Sequence, residues 1–290
     1  MSRAALSSDF DFTPDEQCVA TFVKRFQSYW PQHSIEEYSD FPRNKTAAVL
    51  ILLFIRDGHL RVLLTTRSKH LRSHPGQVAL PGGKTDPTDA SPVETALREA
   101  HEEVGLPMSS RHIHILGLLT PFLSLYKLAV TPVVAFLTDL SVLDTLRPNP
   151  DEVDEIFDHP LEAILSPGLV ATIGTSPSRP LSEHGGPSWP YQSEFHDTTD
   201  AQWLHGTWYR MHRYRSTTTP IKGLTSDILR TTETQIERYA KDQATFATAV
   251  EWAMEHHDAE SQKSLGEARN SGNPHLWPGT LKVGSYCYPV

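Results

Sequence analysis

Three glutamates within five residues are the strongest chemical signal in this sequence. Glu99, Glu102 and Glu103 are spaced i, i+3 and i+4, so on a helix they share one face. Carboxylates this close repel one another, and two of them lie in the last turn, where the helix dipole disfavours negative charge. A bound cation would relieve both penalties, and hard oxygen ligands suit Mg²⁺ or Mn²⁺. A solvated acidic face, with Arg98 forming surface pairs, is the alternative interpretation.

The helix that must position these glutamates has both ends marked. Ser91 predicts an N-cap, Pro92 suits the first helical position, and Glu94 completes a capping box. Gly105 predicts the C-terminal stop. A stripe of apolar residues at helical spacing predicts packing on a sheet: Val93, Ala96, Leu97, Ala100 and Val104.

The loop before this helix has a composition that suits a ligand. Pro81, Gly82 and Gly83 let the backbone approach a ligand closely, because no side chain intervenes. Asp86 and Asp89 then add carboxylates between this turn and the helix. The double glycine alone is weak evidence, whereas the combination with the acidic helix favours a functional site.

Composition and charge narrow the class of protein. The chain has 290 residues with a net charge of −9, so attraction of the whole protein to nucleic acid is not expected. Residues 59–84 nevertheless contain five lysines and arginines and no acid, which favours a small anionic ligand. No apolar run reaches the roughly 18 residues that a membrane-spanning helix needs. Two cysteines without a metal-ligand pattern and an N-terminus without a signal core predict an intracellular protein.

Hydrophobic periodicity predicts a protein with both helices and strands. Asp57-Gly58 predicts a tight hairpin turn between strands at 46–55 and 60–65. Residues 166–205, rich in Ser, Pro, Gly and His, are interpreted as a long loop or insertion. Further strands are predicted at 113–119, 129–137 and 207–214, and helices at 13–30, at 161–165 and from 224 to about 259.

The acidic segment resembles the Nudix box, GX5EX7REUXEEXGU, of the Nudix hydrolases. Residues 98–106, REAHEEVGL, match its second half without exception. In the first half, counted from Gly83, the glutamate position is held by Asp89, and one extra residue separates Asp89 from Arg98. Asp89 keeps the carboxylate of this position on a side chain that is one methylene shorter.

A second motif resembles the coenzyme A diphosphatase branch of that family. Residues 63–83, LLTTRSKHLRSHPGQVALPGG, follow the signature LLTXRSX3RX3GXVXFPGG except that Leu80 replaces Phe. The segments 149–165 and 221–229 also resemble this branch. The likeness covers roughly residues 43–230, flanked by an N-terminal helical segment (1–42) and a C-terminal helix and tail (231–290).

The resemblance implies an α/β/α sandwich around a mixed sheet, and hydrolysis of coenzyme A or its derivatives to 3′,5′-ADP and 4′-phosphopantetheine or its acylated form. It implies attack by water on a diphosphate phosphorus without a covalent enzyme intermediate. Glu99, Glu102 and Glu103 are expected to bind Mg²⁺ or Mn²⁺, and either one of them or Glu152, from a later loop, accepts the proton of the water. Arg98 is expected to orient a carboxylate of the box.

Substrate contacts are predicted on the basic side of the site. Arg67 and Arg72 are the phosphate-binding candidates, because a guanidinium fork suits phosphate groups. Lys84 and the backbone at Gly82 and Gly83 complete the predicted contacts.

Alternatives and cell location stay open from the sequence. A hydrolase of oxidised nucleoside triphosphates and a non-catalytic nucleotide-binding module are the two rival functions. A small nucleotide is the expected partner, with neither nucleic acid nor membrane, and a homodimer is left open. The resembling branch is often peroxisomal, but the chain ends CYPV and not in an SKL-type signal, so cytoplasmic and mitochondrial locations also stay open.

Overall fold

The computed structural model describes residues 42–174, 179–202 and 207–242. The predicted helix at 13–30 and the predicted helical stretch after residue 242 lie outside these ranges. The strands are β1 (Thr46–Arg56), β2 (His59–Arg67), β3 (Val78–Ala79), β4 (Gly82–Lys84), β5 (Ile113–Leu118), β6 (Phe122–Leu123), β7 (Ala129–Leu137), β8 (Val153–Pro160), β9 (His196–Gln202), β10 (Trp208–Tyr214) and β11 (Ile221–Lys222). The helices are α1 (Pro92–Val104), α2 (Ser141–Thr145), α3 (Leu169–Ile173) and α4 (Leu224–Asp242), with 3-10 turns at Arg43–Lys45 and Leu161–Ile164.

A mixed sheet of eight strands forms the centre of the described part. Strands β3, β2, β1, β7 and β5 lie side by side in that order, while β4 pairs with β1, β6 with β7, and β8 with β2. Strands β1 and β7 are parallel, and the other pairs of this sheet are antiparallel. Strands β9, β10 and β11 form a second, antiparallel sheet.

The predicted hairpin between β1 and β2 is confirmed. Asp57 and Gly58 have φ angles of 52° and 78°, the left-handed conformation that a two-residue turn of this kind requires at both positions. Arg56 therefore pairs with His59, and the register that follows buries most of both strands.

Two apolar cores lie on opposite faces of the eight-stranded sheet. Because successive strand residues point to opposite faces, β1 contributes to both cores. One core packs the sheet against α1, and the other packs it against α4. The first contains Ala48, Leu50 and Leu52 with Ala96, Ala100 and Val104, and the second contains Ile51, Leu53 and Leu64 with Ile228, Leu229 and Ile236. The predicted α/β/α arrangement is confirmed, and so is the apolar stripe of α1.

The interpretation of residues 166–205 as a long loop needs correction. Its described part contains α3 and the strand β9. The sequence of β9, HDTTDAQ, has no apolar alternation, and the strand exists because its backbone pairs with β10 from Gln202 to His196. Helix α4 is continuous across residue 230, so the domain boundary predicted there falls within a helix.

Strand β8 was not predicted from the sequence, because its acidic beginning obscures its apolar positions. In the structure β8 pairs with β2 over most of its length, and its last four residues are buried. The pairing brings the acidic segment before β8 next to the end of β2. Among the described helices, none combines the length and the apolarity that crossing a membrane requires.

Candidate active site

Helix α1 begins and ends where its local sequence predicts. The Ser91 hydroxyl accepts a hydrogen bond from the Glu94 N–H at 3.2 Å, and the Glu94 carboxylate accepts one from the Ala90 N–H at 2.7 Å. Gly105 closes the helix with a φ of 72°, and its N–H donates to the His101 carbonyl at 2.9 Å. The directions in which the three glutamate side chains point therefore depend on which face of α1 packs against the sheet.

The three glutamates of α1 lie in three different environments. The Glu103 side chain is only 7 % exposed, and one of its oxygens accepts a hydrogen bond from the Gly82 N–H at 3.1 Å. The Glu99 side chain is 17 % exposed, whereas the Glu102 side chain is 48 % exposed. The packing of α1 thus buries one carboxylate, half-buries a second and leaves the third at the surface.

Close packing requires glycine at position 82, where backbone atoms leave no room and φ is 154°, whereas at Gly83 the obstacle is the movable end of the Glu99 side chain. A Cβ atom at Gly83 would lie 2.4 Å from the Glu99 carboxyl carbon, and one at Gly82 would lie 2.4 Å from the Ala48 carbonyl oxygen. Both distances are shorter than real Cβ contacts. The sequence predicted a close approach of this backbone to a ligand, and the approach that the structure shows is to the carboxylates of α1 and to β1.

Arg98 links the loop before α1 to two of the glutamates. Its Nε and Nη2 donate to the two Asp89 carboxylate oxygens at 3.0 Å each, and its Nη1 donates to Glu99 at 3.0 Å and to Glu102 at 3.1 Å. Asp89 also accepts bonds from the Asp86 N–H and the Thr95 hydroxyl. Asp89, which stands at the glutamate position of the box, therefore holds Arg98 in place.

The charges in this network shift the pKa values of both partners. Hydrogen bonds from Arg98 lower the pKa of Asp89 to about 2, although burial opposes the shift. The same bonds raise the pKa of Arg98. Asp89 is therefore ionised at neutral pH and keeps Arg98 charged beside Glu99 and Glu102.

Glu152 is brought to the glutamates of α1 by backbone hydrogen bonds. The Asn149 N–H donates to the Glu103 carbonyl at 2.9 Å, and the Ser68 N–H donates to the Glu152 carbonyl at 2.8 Å. One oxygen of the Glu152 carboxylate is buried and has no hydrogen-bond partner. Its negative charge contributes to the raised pKa values of both Glu99 and Glu103.

Burial makes ionisation of two of these carboxylates costly. Burial raises the pKa of Glu103 to about 7, against the opposing effects of the Gly82 N–H and the Arg67 charge. Burial likewise raises the pKa of Glu99, with Arg98 opposing. Buried acids with incomplete compensation are typical of ligand-binding and catalytic sites.

Arg67 connects the carboxylates to a basic loop. The register of β2 against β8 shifts between Thr66 and Arg67, and the Arg67 guanidinium lies 3.8 Å from Glu103. Residues 68–76 form a loop that closes on Arg67, because the Gly76 N–H donates to the Arg67 carbonyl at 3.0 Å. The Thr219 hydroxyl fastens the loop from the other side by donating to the Gly76 carbonyl at 2.8 Å.

The other predicted substrate contacts lie around this loop. Arg72 is exposed within it. Lys84 is exposed at the end of β4, and its carbonyl accepts a hydrogen bond from Arg98 at 3.0 Å. Arg67 thus lies within ion-pair distance of Glu103, and the Lys84 backbone is bonded to Arg98. Arg72 lies on the loop and not among the carboxylates.

The chemistry of these residues fits a divalent cation, although their present arrangement is not a complete ligand set. Carboxylate oxygens are hard donors, one oxygen of Glu152 is buried without a partner, and the charge of Glu152 acts on the pKa values of Glu99 and Glu103. In the part of the chain that the structure describes, however, no three such groups are arranged to hold an ion. Arg98 instead neutralises Glu99 and Glu102.

Sequence reasoning missed two residues that support the site. Asn149 ties the Glu152 segment to α1 through the Glu103 carbonyl, and Thr219 holds the basic loop. Asn149 begins one of the two segments that resemble the coenzyme A diphosphatase branch, so that resemblance was an available signal. Thr219 lies two residues before the other segment and carried none.

Comparisons with known proteins identify the family of this chain. Residues 44–177 match the NUDIX domain family. An uncharacterised Nudix hydrolase, NudL, of Yersinia enterocolitica is 40 % identical over 154 residues, which are 53 % of this chain and 74 % of that protein. The mitochondrial Nudix hydrolase 15 of Arabidopsis thaliana is 46 % identical over 138 residues, which are 46 % of this chain and 47 % of that protein.

A solved structure of the NUDIX domain of Shewanella oneidensis NrtR with ADP ribose is 21 % identical, with a TM-score of 0.32, and covers 46 % of this chain and 88 % of that one. The Yersinia relative decides the assignment, and the family match agrees with it. The chain belongs to the Nudix hydrolases, enzymes that act on pyrophosphate bonds.

Proposed function

We propose that this chain hydrolyses the diphosphate linkage of coenzyme A or one of its derivatives, and releases 3′,5′-ADP with 4′-phosphopantetheine or its acylated form. The supporting observation is that the basic loop 68–76 closes on Arg67, whose guanidinium lies 3.8 Å from Glu103. Coenzyme A carries a 3′-phosphate besides its diphosphate. A cationic loop directly beside the carboxylates suits such a substrate better than it suits a compound with a single phosphate group.

Arg67 and Arg72 are the proposed phosphate-binding residues, and they act at different distances from the reaction. Arg67 precedes the loop and lies 3.8 Å from Glu103, so it is assigned to the diphosphate. Arg72 is exposed farther along the loop and is assigned to the 3′-phosphate. Lys84 supplies a further cation at the end of β4, while Gly82 and Gly83 let this edge of the site lie close to α1.

Nudix hydrolases generally use divalent metal ions such as Mg²⁺ or Mn²⁺. In this chain Glu99, Glu102 and Glu103 are the proposed ligands. A bound cation would neutralise the diphosphate oxygens and activate a water. Arg98 is a positioning residue in this proposal, because it contacts Glu99 and Glu102 while Asp89 holds its guanidinium from the other side.

Glu152 is the proposed general base, with Glu102 as the alternative. The buried Glu152 oxygen without a partner retains its lone pairs, so it can accept the proton of the attacking water. The oxygen of that water forms a bond to one phosphorus, and the bond from that phosphorus to the bridging oxygen breaks. The bridging oxygen leaves with the second phosphate, so the products are two phosphomonoesters.

The test is hydrolysis of coenzyme A by the purified full-length chain in Mg²⁺ or Mn²⁺, with the products separated by chromatography. We expect 3′,5′-ADP and 4′-phosphopantetheine in equal amounts, and a strong loss of turnover in Glu102→Gln. Glu194→Gln is the matched control, because Glu194 is an exposed glutamate away from these carboxylates. Full activity in Glu102→Gln would contradict the proposed metal ligands.

The same assay separates the rival functions. Faster turnover of oxidised nucleoside triphosphates than of coenzyme A would favour a nucleotide-sanitising enzyme. Binding of coenzyme A without cleavage in saturating Mg²⁺ would favour a non-catalytic module. A fluorescent fusion of the chain distinguishes peroxisomal, cytoplasmic and mitochondrial locations, and light scattering of the purified protein tests for a homodimer.

A further inference from the structure

An exposed aromatic pair lies outside the carboxylate site. The rings of His74, in the basic loop, and Tyr126, in the turn between β6 and β7, meet edge to face with centroids 5.5 Å apart. Tyr126 is 62 % exposed. An aromatic ring of this size at the surface is available to a ligand, since the neighbouring ring covers only part of it.

The turn that carries Tyr126 is closed by its own hydrogen bonds. The Ser124 N–H donates to the Leu128 carbonyl at 2.9 Å, and the Leu128 N–H donates to the Ser124 hydroxyl at 3.0 Å. The Lys127 N–H donates to the Ser124 carbonyl at 2.9 Å. The backbone that carries Tyr126 is therefore ordered before any ligand binds, which lowers the entropic cost of using this turn as a contact surface.

The backbone of His74 is in an unusual conformation. Its φ angle is 53°, which costs free energy in a residue other than glycine. The His74 carbonyl accepts a hydrogen bond from the Gln77 N–H. The Gln77 carbonyl in turn accepts one from the backbone N–H of Arg67 at 2.9 Å. The strained residue is thus tied to the residue that contacts Glu103, and its ring supports Tyr126.

Both loops lie at the same end of the sheet as the carboxylate site. In β1, Thr46 pairs with Ala129, directly after the Tyr126 turn, and Ala47 pairs with Lys84 on its other side. The basic loop follows Arg67, whose guanidinium lies 3.8 Å from Glu103. The aromatic pair therefore joins the basic loop to the turn that leads into β7, the strand beside β1.

The surface around the pair combines apolar and cationic groups. Leu123, Leu125 and Tyr126 are 51 %, 58 % and 62 % exposed, so the turn presents an apolar tip. Lys69 and Arg72 are exposed on the adjoining loop. A flat apolar surface beside cations is complementary to a ligand that carries an aromatic ring next to phosphate, as a nucleotide does.

We infer that Tyr126, supported by His74, is the stacking surface for the nucleobase of the diphosphate substrate. Stacking on a tyrosine accepts any base, since each base offers a π-face. The cations of the basic loop lie next to the phosphate of the same nucleotide. This inference rests on the proposed function, because it takes the substrate to be a nucleotide derivative, and it adds a residue that the motifs do not include.

The experiment measures binding and turnover separately in Tyr126→Ala and Tyr126→Phe. Binding of 3′,5′-ADP and of 4′-phosphopantetheine, which lacks a base, is measured by calorimetry, and coenzyme A hydrolysis is measured in Mg²⁺. We expect Tyr126→Ala to weaken 3′,5′-ADP binding and raise KM for coenzyme A about tenfold. We expect Tyr126→Phe to retain wild-type values and 4′-phosphopantetheine binding to be unchanged in both variants. Trp208→Ala is the control, because Trp208 is an exposed aromatic residue of the second sheet.

Unchanged 3′,5′-ADP binding in Tyr126→Ala, or no binding by the wild type, would overturn the inference. A loss confined to 4′-phosphopantetheine or its acyl form would also overturn it, and would assign the apolar tip to the other half of the substrate. Tyr126-dependent 3′,5′-ADP binding without coenzyme A hydrolysis would support the stacking surface while contradicting the proposed function. Hydrolysis of coenzyme A with an unchanged KM in Tyr126→Ala would support the proposed function and contradict the stacking surface.

Discussion

Two clusters of acids and arginines lie toward opposite ends of β8, and they differ in how completely their charges are paired. In the closed cluster, formed by Arg56, Arg61 and Asp158, both Asp158 oxygens receive a guanidinium. In the open cluster, formed by Glu99, Glu103 and Glu152, Arg98 pairs with Glu99, but the nearest arginine to Glu103 is 3.8 Å away and one Glu152 oxygen has no partner. The side chains of Asp158 and Glu103 are almost equally buried, at 6 % and 7 % exposed.

Burial alone therefore does not mark a functional carboxylate. Asp158 has partners that compensate for its charge, so the closed cluster is complete without a ligand. Glu103 has a pKa raised to about 7 because its partners compensate less than its burial costs. An incompletely compensated acid costs free energy in the folded protein, and a bound cation can recover that cost.

The largest expected effect is on the closed cluster. Asp158→Asn should lower the free energy of unfolding by about 3–5 kcal/mol, because it leaves the buried Arg61 without its counter-charge. Denaturant unfolding measures the change, and Asp151→Asn, at an exposed position before β8, is the control. A loss below about 1 kcal/mol would mean that the two clusters do not differ in this way.

Removing a charge from the open cluster should impair metal binding and not stability. Glu103→Gln should weaken Mg²⁺ or Mn²⁺ binding on the order of 100-fold, with turnover falling accordingly. Without metal, the variant should unfold at the same or a higher denaturant concentration than the wild type, because it removes a buried charge. Calorimetric metal titration and unfolding in EDTA test both parts, and a marked loss of stability in EDTA would place Glu103 with the structural acids.

Asp89 is expected to behave as a structural acid within the active site. Its folded-state pKa of about 2 lies below the ordinary value of 3.8, so its ionised form stabilises the fold. Asp89→Asn should cost about 2 kcal/mol at pH 7, and this difference should shrink as the pH falls from about 4 toward 2. Unfolding curves across that range provide the measurement. A difference that does not change with pH would show that the charge of Asp89 is not what matters.

The smallest expected effect distinguishes Arg72, in the basic loop, from Arg67, directly before it. Arg72→Gln should raise KM for coenzyme A about fivefold and leave KM for dephospho-coenzyme A unchanged, because the second compound lacks the 3′-phosphate. Steady-state kinetics on both substrates test this. An equal increase for both compounds would assign Arg72 to the diphosphate. Arg67→Gln, beside Glu103, should impair both substrates.

Much of the fold could be predicted where local residues decide the conformation. The ends of α1 follow from Ser91, Pro92 and Gly105, and the β1–β2 hairpin follows from Asp57-Gly58. Capping and turn preferences act over a few residues, so one sequence suffices to read them. The same holds for the three-glutamate motif and for the order of charges along the basic loop.

The residue types of the site and the helix that carries them follow from the local sequence. The packing of α1 against the sheet, by contrast, sets which glutamate is buried, because it turns Glu103 inward and leaves Glu102 exposed. Backbone hydrogen bonds join the Glu152 segment to Ser68 and Glu103, which are far from it in sequence, so local preference cannot predict this contact. The polar segment β9 is a strand because tertiary folding pairs it with β10, while its own residues carry no strand pattern.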